Sequence, residues 1–175
     1  MIRLACAADL PEIGAIYDAV LDREAETGVV YTNWQKGKYP TPDTARAVLE
    51  AGTLYVGEEG GRLWGVVNLN NAQLPEYDAI PWSIPAPPEA VGVIHTLCIH
   101  PGAARRGHAG KMVAFCEEEA RRQGRTVIRL DTWKGNLPAN HLYPSLGYRF
   151  AGATEFFFQG YIHEILNCYE KSLAL

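Results

Sequence analysis

The strongest constraint in this chain is a strand-like run that empties into a loop of small residues and then into an amphipathic helix. Val91 to Ile99 reads as a strand and closes on His100-Pro101. The loop Gly102-Ala103-Ala104-Arg105-Arg106-Gly107-His108-Ala109-Gly110 follows. Ala109, Met112, Val113, Cys116 and Ala120 then recur at helical spacing until Gly124 stops the pattern. A helix start exposes unpaired N–H groups and the positive end of the helix dipole. Small residues there let the oxygens of an anion approach those amides. Arg105, Arg106 and Lys111 crowd the same corner, although the chain as a whole carries 16 basic against 20 acidic residues, net −4. The plainer alternative is a glycine-rich turn beside a solvated, charged helix.

Two other phosphate cradles fail on spelling. A Walker loop needs a Gly five places before Gly110-Lys111 and a Ser or Thr after it, where this chain has Arg105 and Met112. A dinucleotide fingerprint needs a first Gly where Arg105 stands.

The remaining pattern gives one mixed α/β sheet. Arg3-Leu4-Ala5 is an opening strand. Asp9-Leu10-Pro11-Glu12 reads as a capping box for a first helix, with Asp9 as N-cap and Gly28 past the end. Thr41-Pro42 opens a second helix, with Gly52 as its stop. Leu54 to Gly57 and Leu63 to Leu69 flank Glu58-Glu59-Gly60-Gly61 as a hairpin. Asn70 to Ala90 carries five prolines and is expected to be a long irregular loop. Thr126 to Asp131 is a strand and Asn136 to Leu146 a short helix, which Pro144 must kink or end. Arg149 to Phe158 and Ile162 to Leu173 are two strands turning near Gln159-Gly160.

Composition removes whole classes. With 47% hydrophobic residues the chain is not disordered, and 175 residues suit a single domain, 1–175. No apolar run approaches the ~18 residues of a membrane span. The start has no basic segment followed by an apolar one, so a cytoplasmic protein without a membrane role is expected. Cys6, Cys98, Cys116 and Cys168 lie far apart, which argues against a disulfide framework or a structural metal, and no metal is expected. A mildly acidic chain is also a poor generic nucleic-acid binder.

Two segments resemble a known family. Leu97-Cys98-Ile99-His100-Pro101, the loop Ala104-Arg105-Arg106-Gly107-His108-Ala109 and the helix after it resemble motif A of the GNAT superfamily of N-acetyltransferases, written [Q/R]-x-x-G-x-[G/A]. Asn136-Leu137-Pro138-Ala139 and Leu142-Tyr143-Pro144-Ser145-Leu146-Gly147-Tyr148 resemble its motif B. The order of elements is similar across nearly the whole chain. One position departs: Ala104 stands where Gln or Arg is usual, which removes a side-chain contact and leaves the backbone amides in place.

The resemblance implies the GNAT fold: α/β (α+β), a single mixed, mostly antiparallel sheet flanked by helices on both faces. It implies acetyl-CoA as co-substrate, with its pyrophosphate on the amides of Arg105, Arg106, Gly107, His108, Ala109, Gly110 and Lys111. It implies pantetheine along Leu97, Cys98 and Ile99, and Asn136 as a helix cap that can also touch the cofactor. Direct attack by an amine in a ternary complex is expected, with Tyr143 protonating the departing sulfur. A core aromatic is the structural alternative for Tyr143. Many members carry a Glu on the strand matching Val91 to Ile99, but this strand has no Glu and His95 is its candidate base, a proton acceptor near neutrality or a buried structural histidine. Trp34, Tyr39, Tyr77 and Trp82 lie in irregular stretches and are expected either to line a small amine acceptor's pocket or to anchor their own loops. The rival reading is a non-catalytic acyl-CoA-binding domain on the same fold. Strand edges near the C-terminus suggest a homodimer.

Overall fold

The structure, a computed structural model, describes residues 1–158 and 160–174. Its elements run β1 (Ile2–Leu4), α1 (Leu10–Thr27), α2 (Pro42–Glu50), β2 (Leu54–Glu59), β3 (Arg62–Asn70), β4 (Val91–Ile99), α3 (His108–Arg122), β5 (Val127–Trp133), α4 (Leu137–Ser145), β6 (Arg149–Phe158) and β7 (Ile162–Ser172). The strands form one mixed sheet in the order β1-β2-β3-β4-β5-β7-β6. Every helix and strand read from the sequence is present, with ends shifted by a few residues. The expected turn at Gln159-Gly160 falls partly outside the described residues, since Gln159 is not among them. The chain divides into two compact units, each assembled from separate stretches.

The first unit comprises Met1–Val29, Trp34–Leu69 and His95–Phe115. Its hairpin turns on Gly60 (φ +60°) and Gly61 (φ +74°), the left-handed pair that a tight two-residue hairpin needs. Ile13, Ile16 and Tyr17 of α1 pack with Ala45, Leu54, Val56, Val66 and Cys98 in one buried cluster. At spacings of three and four they make a single helix face. One expectation fails here. Asp9 does not cap α1: it sits at φ −79°, ψ −19° with no side-chain bond to the helix. Its carboxylate instead takes two bonds from the Arg3 guanidinium, at 2.8 and 2.9 Å, and one from the Cys6 amide at 2.7 Å. Glu12 likewise leaves the cap, its Oε1 accepting from the Leu63 amide at 2.9 Å.

The second unit comprises Val30–Asn33, Asn70–Ile94 and Cys116–Leu175. In it β4 runs parallel to β5, from Val91 opposite Val127 to Ile94 opposite Leu130. β7 pairs antiparallel with both β5 and β6. The Pro-rich stretch is irregular as expected, apart from short 3-10 turns at Pro75–Ala79 and Pro88–Ala90. At Ser83 and Ile84 its polar backbone is satisfied by two charged side chains from the strands. Glu170, fully buried, accepts from the Ser83 amide and hydroxyl and from the Ile84 amide. Arg129 donates to Gln73 Oε1 and to the Ile84 carbonyl and lies 4.4 Å over the Trp82 ring.

Candidate functional site

In the first unit the site is built on β4 and the loop after it. Among the described residues, two non-glycine positions have φ in the left-handed region, Thr96 at +48° and Arg105 at +61°. Both lie in this stretch. Gly107 at +77° is left-handed as well, and a Cβ there would enter open space. Left-handed residues on either side of Arg106 turn the backbone just before α3, and the first amides of that helix have no intrahelical acceptor. The corner therefore offers open space, turned peptide groups and helix-start donors together, which fits the pyrophosphate of a coenzyme.

The side chains of the corner are less free than the sequence implied. Arg106 pairs with Glu59 at 3.3 Å. Arg105 and Lys111 are exposed. His108 points inward instead: it is 5% exposed, stacks on Trp64 with ring centroids 4.3 Å apart, and neither ring nitrogen has a partner. Burial, then Lys111 and Arg106, lowers its pKa, so this imidazole is neutral packing. It also lines a cavity of about 320 Å³ with Trp64, Lys111, Phe115, Glu58 and Met1. His100 serves the turn, its Nδ1 accepting from the Gly102 amide at 3.0 Å. Along β4, Leu97 and Ile99 are half-buried, while Cys98 is 3% exposed with its thiol pushed well above the usual range by burial. The Cys98 thiol is thus no nucleophile. His95 is half-buried.

In the second unit, Asn136 caps α4 by accepting from the Ala139 amide at 3.1 Å. That helix carries Tyr143, 6% exposed, against the rings of Tyr148 and Tyr169, each 5.8 Å away. Asn140 organises the neighbourhood. Its Oδ1 accepts from Tyr169 Oη at 2.7 Å and from Asn167 at 2.8 Å, and its Nδ2 donates to the carbonyls of Trp133 and Asn136.

The four loop aromatics separate by unit. Tyr39, 8% exposed, meets Trp34 edge-on at 5.8 Å and shares a 2.8 Å hydrogen bond with Thr96 Oγ1. Tyr77 and Trp82 pack together at 5.1 Å, and the Tyr77 hydroxyl donates to Asp131 Oδ2 at 2.7 Å. Asp131 and its neighbour Glu164 escaped the sequence reading. Burial raises Asp131 to about 6 against the help of Tyr77, and burial followed by the charge of Asp131 raises Glu164 to about 7. Glu164 Oε2 is buried without a partner. The signal was present in the sequence as charged residues inside apolar strands, Asp131 after Ile128-Arg129-Leu130 and Glu164 before Ile165-Leu166.

This sheet order, with a glycine corner after β4 and a capped α4 after β5, is that of the acyl-CoA N-acyltransferase fold. The sequence profile of the "Acetyltransferase (GNAT) family" matches residues 17–148, and the chain belongs to that family. It is accordingly an acetyltransferase. Solved structures share the fold. An N-acetyltransferase of Staphylococcus aureus Mu50 aligns at TM-score 0.71 and 23% identity, over 99% of this chain and 98% of its own. A Salmonella typhimurium protein assigned as an acetyltransferase, solved with its cofactor acetyl-CoA, aligns at 0.70 and 22%, over 100% and 94%. The ribosomal-protein-alanine N-acetyltransferase of Brucella melitensis aligns at 0.69 and 22%, over 98% and 99%. No curated protein matches the sequence significantly. Among the described residues no group of side chains could hold a metal ion, and no helix is long and apolar enough to cross a membrane.

Proposed function

We propose that the chain moves the acetyl group of acetyl-CoA to the primary amine of a small molecule, by direct attack in a ternary complex. When bound, the coenzyme supplies the acetyl group as an activated thioester. The amides from Arg105 to Lys111 hold its pyrophosphate, and the backbone of Leu97, Cys98 and Ile99 takes the pantetheine and polarises the carbonyl. Tyr143 donates its phenolic proton to the sulfur that leaves. Its ring packs against those of Tyr148 and Tyr169, and a ring so held suits a positioned acid. In this proposal residues 1–175 act as one catalytic domain.

Glu164 carries the amine part of this reading. An amine reaches the site as an ammonium and must lose a proton before it can attack. A carboxyl at about 7, with one buried and unpartnered oxygen, is half ionised at neutral pH and suited to accept that proton. His95 on β4 is the second candidate acceptor. Tyr77 and Trp82 pin the covering loop beside Asp131, which favours a compact acceptor over a long basic one.

The test is release of free thiol from acetyl-CoA across a panel of small primary amines and amine-terminated peptides. Turnover only with peptides would overturn the small-molecule acceptor. Tyr143→Phe should keep acetyl-CoA binding and slow turnover by about 10- to 100-fold, the scale of lost acid catalysis. Glu164→Gln and His95→Gln then separate the two bases, because the true one removes the acidic limb of the kcat/KM profile.

A further inference from the structure

Thr96 sits in the middle of β4 at φ +48°, a backbone state that a β-branched residue reaches only against steric resistance. Such conformations persist where the surroundings over-determine them, and they gather at functional sites. The strand records the turn: burial along Val91–Ile99 is continuous to Ile94, breaks at His95, Thr96 and Leu97, and resumes at Cys98. A left-handed residue reorients the peptide groups on either side of it. The Leu97 amide therefore points where it does because of Thr96.

What holds Thr96 is Tyr39, whose hydroxyl lies 2.8 Å from Thr96 Oγ1. Tyr39 is a stiff support. The Gln35 amide donates to its carbonyl at 3.2 Å, and its own amide donates to the Gln35 carbonyl at 3.0 Å. Trp34 meets its ring edge-on. Behind it stands Tyr17 of α1, 2% exposed, whose phenol is raised by burial first and then by the nearby Cys98 and Tyr39. The hydroxyl is thus the fixed tip of a bracket built from the α1–α2 connection.

We propose that Tyr39 is a positioning residue for acetyl transfer: its hydroxyl holds Thr96 left-handed and so aims the Leu97 amide at the thioester carbonyl. This rests on the reading of β4 as the thioester edge, and it gives Tyr39 a task beyond lining an acceptor pocket. Tyr39 touches neither reactant in this role. It acts through the backbone of its partner.

The experiment is a double-mutant cycle of Tyr39→Phe and Thr96→Gly, using acetyl-CoA and the most active amine of the panel. Glycine adopts positive φ without strain, so it needs no bracket. Tyr39→Phe is expected to lower kcat about tenfold with KM for acetyl-CoA changed less than about twofold, since the donor is misaimed and not removed. In the Thr96→Gly background the same loss of hydroxyl should cost about twofold or less, a non-additivity that contacting residues show. Thr96→Val, which breaks the bond from the other side, should reproduce the loss seen with Tyr39→Phe. Additive effects, or a change confined to KM, would overturn the proposal.

Hydrogen exchange over residues 94–99 of the free protein supplies a readout independent of catalysis. It should quicken in Tyr39→Phe, and unchanged exchange would also overturn the role. Coenzyme binding at the site is tested separately, by whether acetyl-CoA raises the melting temperature of the unaltered protein.

Discussion

The Tyr77 hydroxyl donates to Asp131 Oδ2 at 2.7 Å, yet the carboxyl it serves is held at about 6. Burial is the larger effect and the hydrogen bond only offsets it. The sign of the consequence follows from the direction of the shift. Below the ordinary value of 3.8 both folded and unfolded chains carry the proton. Between 3.8 and about 6 the unfolded chain ionises while the folded one does not, so stability falls as pH rises, and above 6 the loss is constant. It amounts to about 3 kcal/mol, at 1.36 kcal/mol per pH unit. Asp131→Asn keeps an oxygen for Tyr77 and removes the ionisation. It should raise the melting temperature at about pH 8 and leave it unchanged near pH 4. A gain of equal size at both pH values would mean that ionisation is not the cause.

Gly107 carries the second expectation. At φ +77° a valine is strained although its Cβ would meet nothing, so Gly107→Val should cost about 1–3 kcal/mol of stability. The larger effect is on the coenzyme. Acetyl-CoA at about 100 times its Kd stabilises a binding protein by ~2.7 kcal/mol. Differential scanning fluorimetry should show that increment in the unaltered protein and lose it in Gly107→Val. A retained shift would move the pyrophosphate site away from this loop.

These residues also show how far the sequence carried. Local chemistry was legible: Gly60-Gly61 turned the hairpin, Gly28 ended α1 at φ +69°, and Asn136 capped α4. The GNAT motifs were contiguous runs and could be read directly. Where a distant partner decides, local rules misled. Asp9 has the chemistry of an N-cap, but Arg3, with two hydrogen bonds to offer, draws its carboxylate away. The sequence leaves His108 either as packing or as a phosphate neighbour, and only Trp64, brought in by β3, decides for packing by giving it a stacking surface. Thr96 is an ordinary strand residue by propensity, and nothing nearby in the chain announces Tyr39. Glu164 and Asp131 lie on different strands, and only the folded chain lets one charge act on the other.

The four cysteines allow a chemical check of burial. Cys6 is exposed, while Cys98, Cys116 and Cys168 are buried. Burial pushes Cys116 and Cys168 up to about 12, and Cys98 higher. Thiolate is the reactive form, so the native protein should react with a water-soluble disulfide reagent at a single thiol. Cys6→Ser should abolish that reaction, and denaturant should release three more equivalents. Fast labelling of Cys98 in the native protein would contradict its burial and reopen the question of a nucleophile on β4.

The Arg3–Asp9 pair gives the opposite pH dependence from Asp131. The Arg3 hydrogen bonds lower Asp9 from 3.8 to about 2 against the cost of its burial, and the Cys6 amide adds to the effect. Its folded value therefore lies below its unfolded one. The stabilisation is complete above 3.8, declines as pH falls toward 2, and is absent below both values. Asp9 has an 11% exposed side chain, so solvent screens the pair little, and about 2 kcal/mol is the scale of the effect. Asp9→Asn should lower the urea midpoint near pH 6 by a corresponding amount. The difference between the two proteins should shrink steadily below about pH 4, because the unaltered protein then loses the same charge. A difference that persisted unchanged to pH 2 would place the effect in packing around the Cys6–Asp9 turn and not in the ion pair.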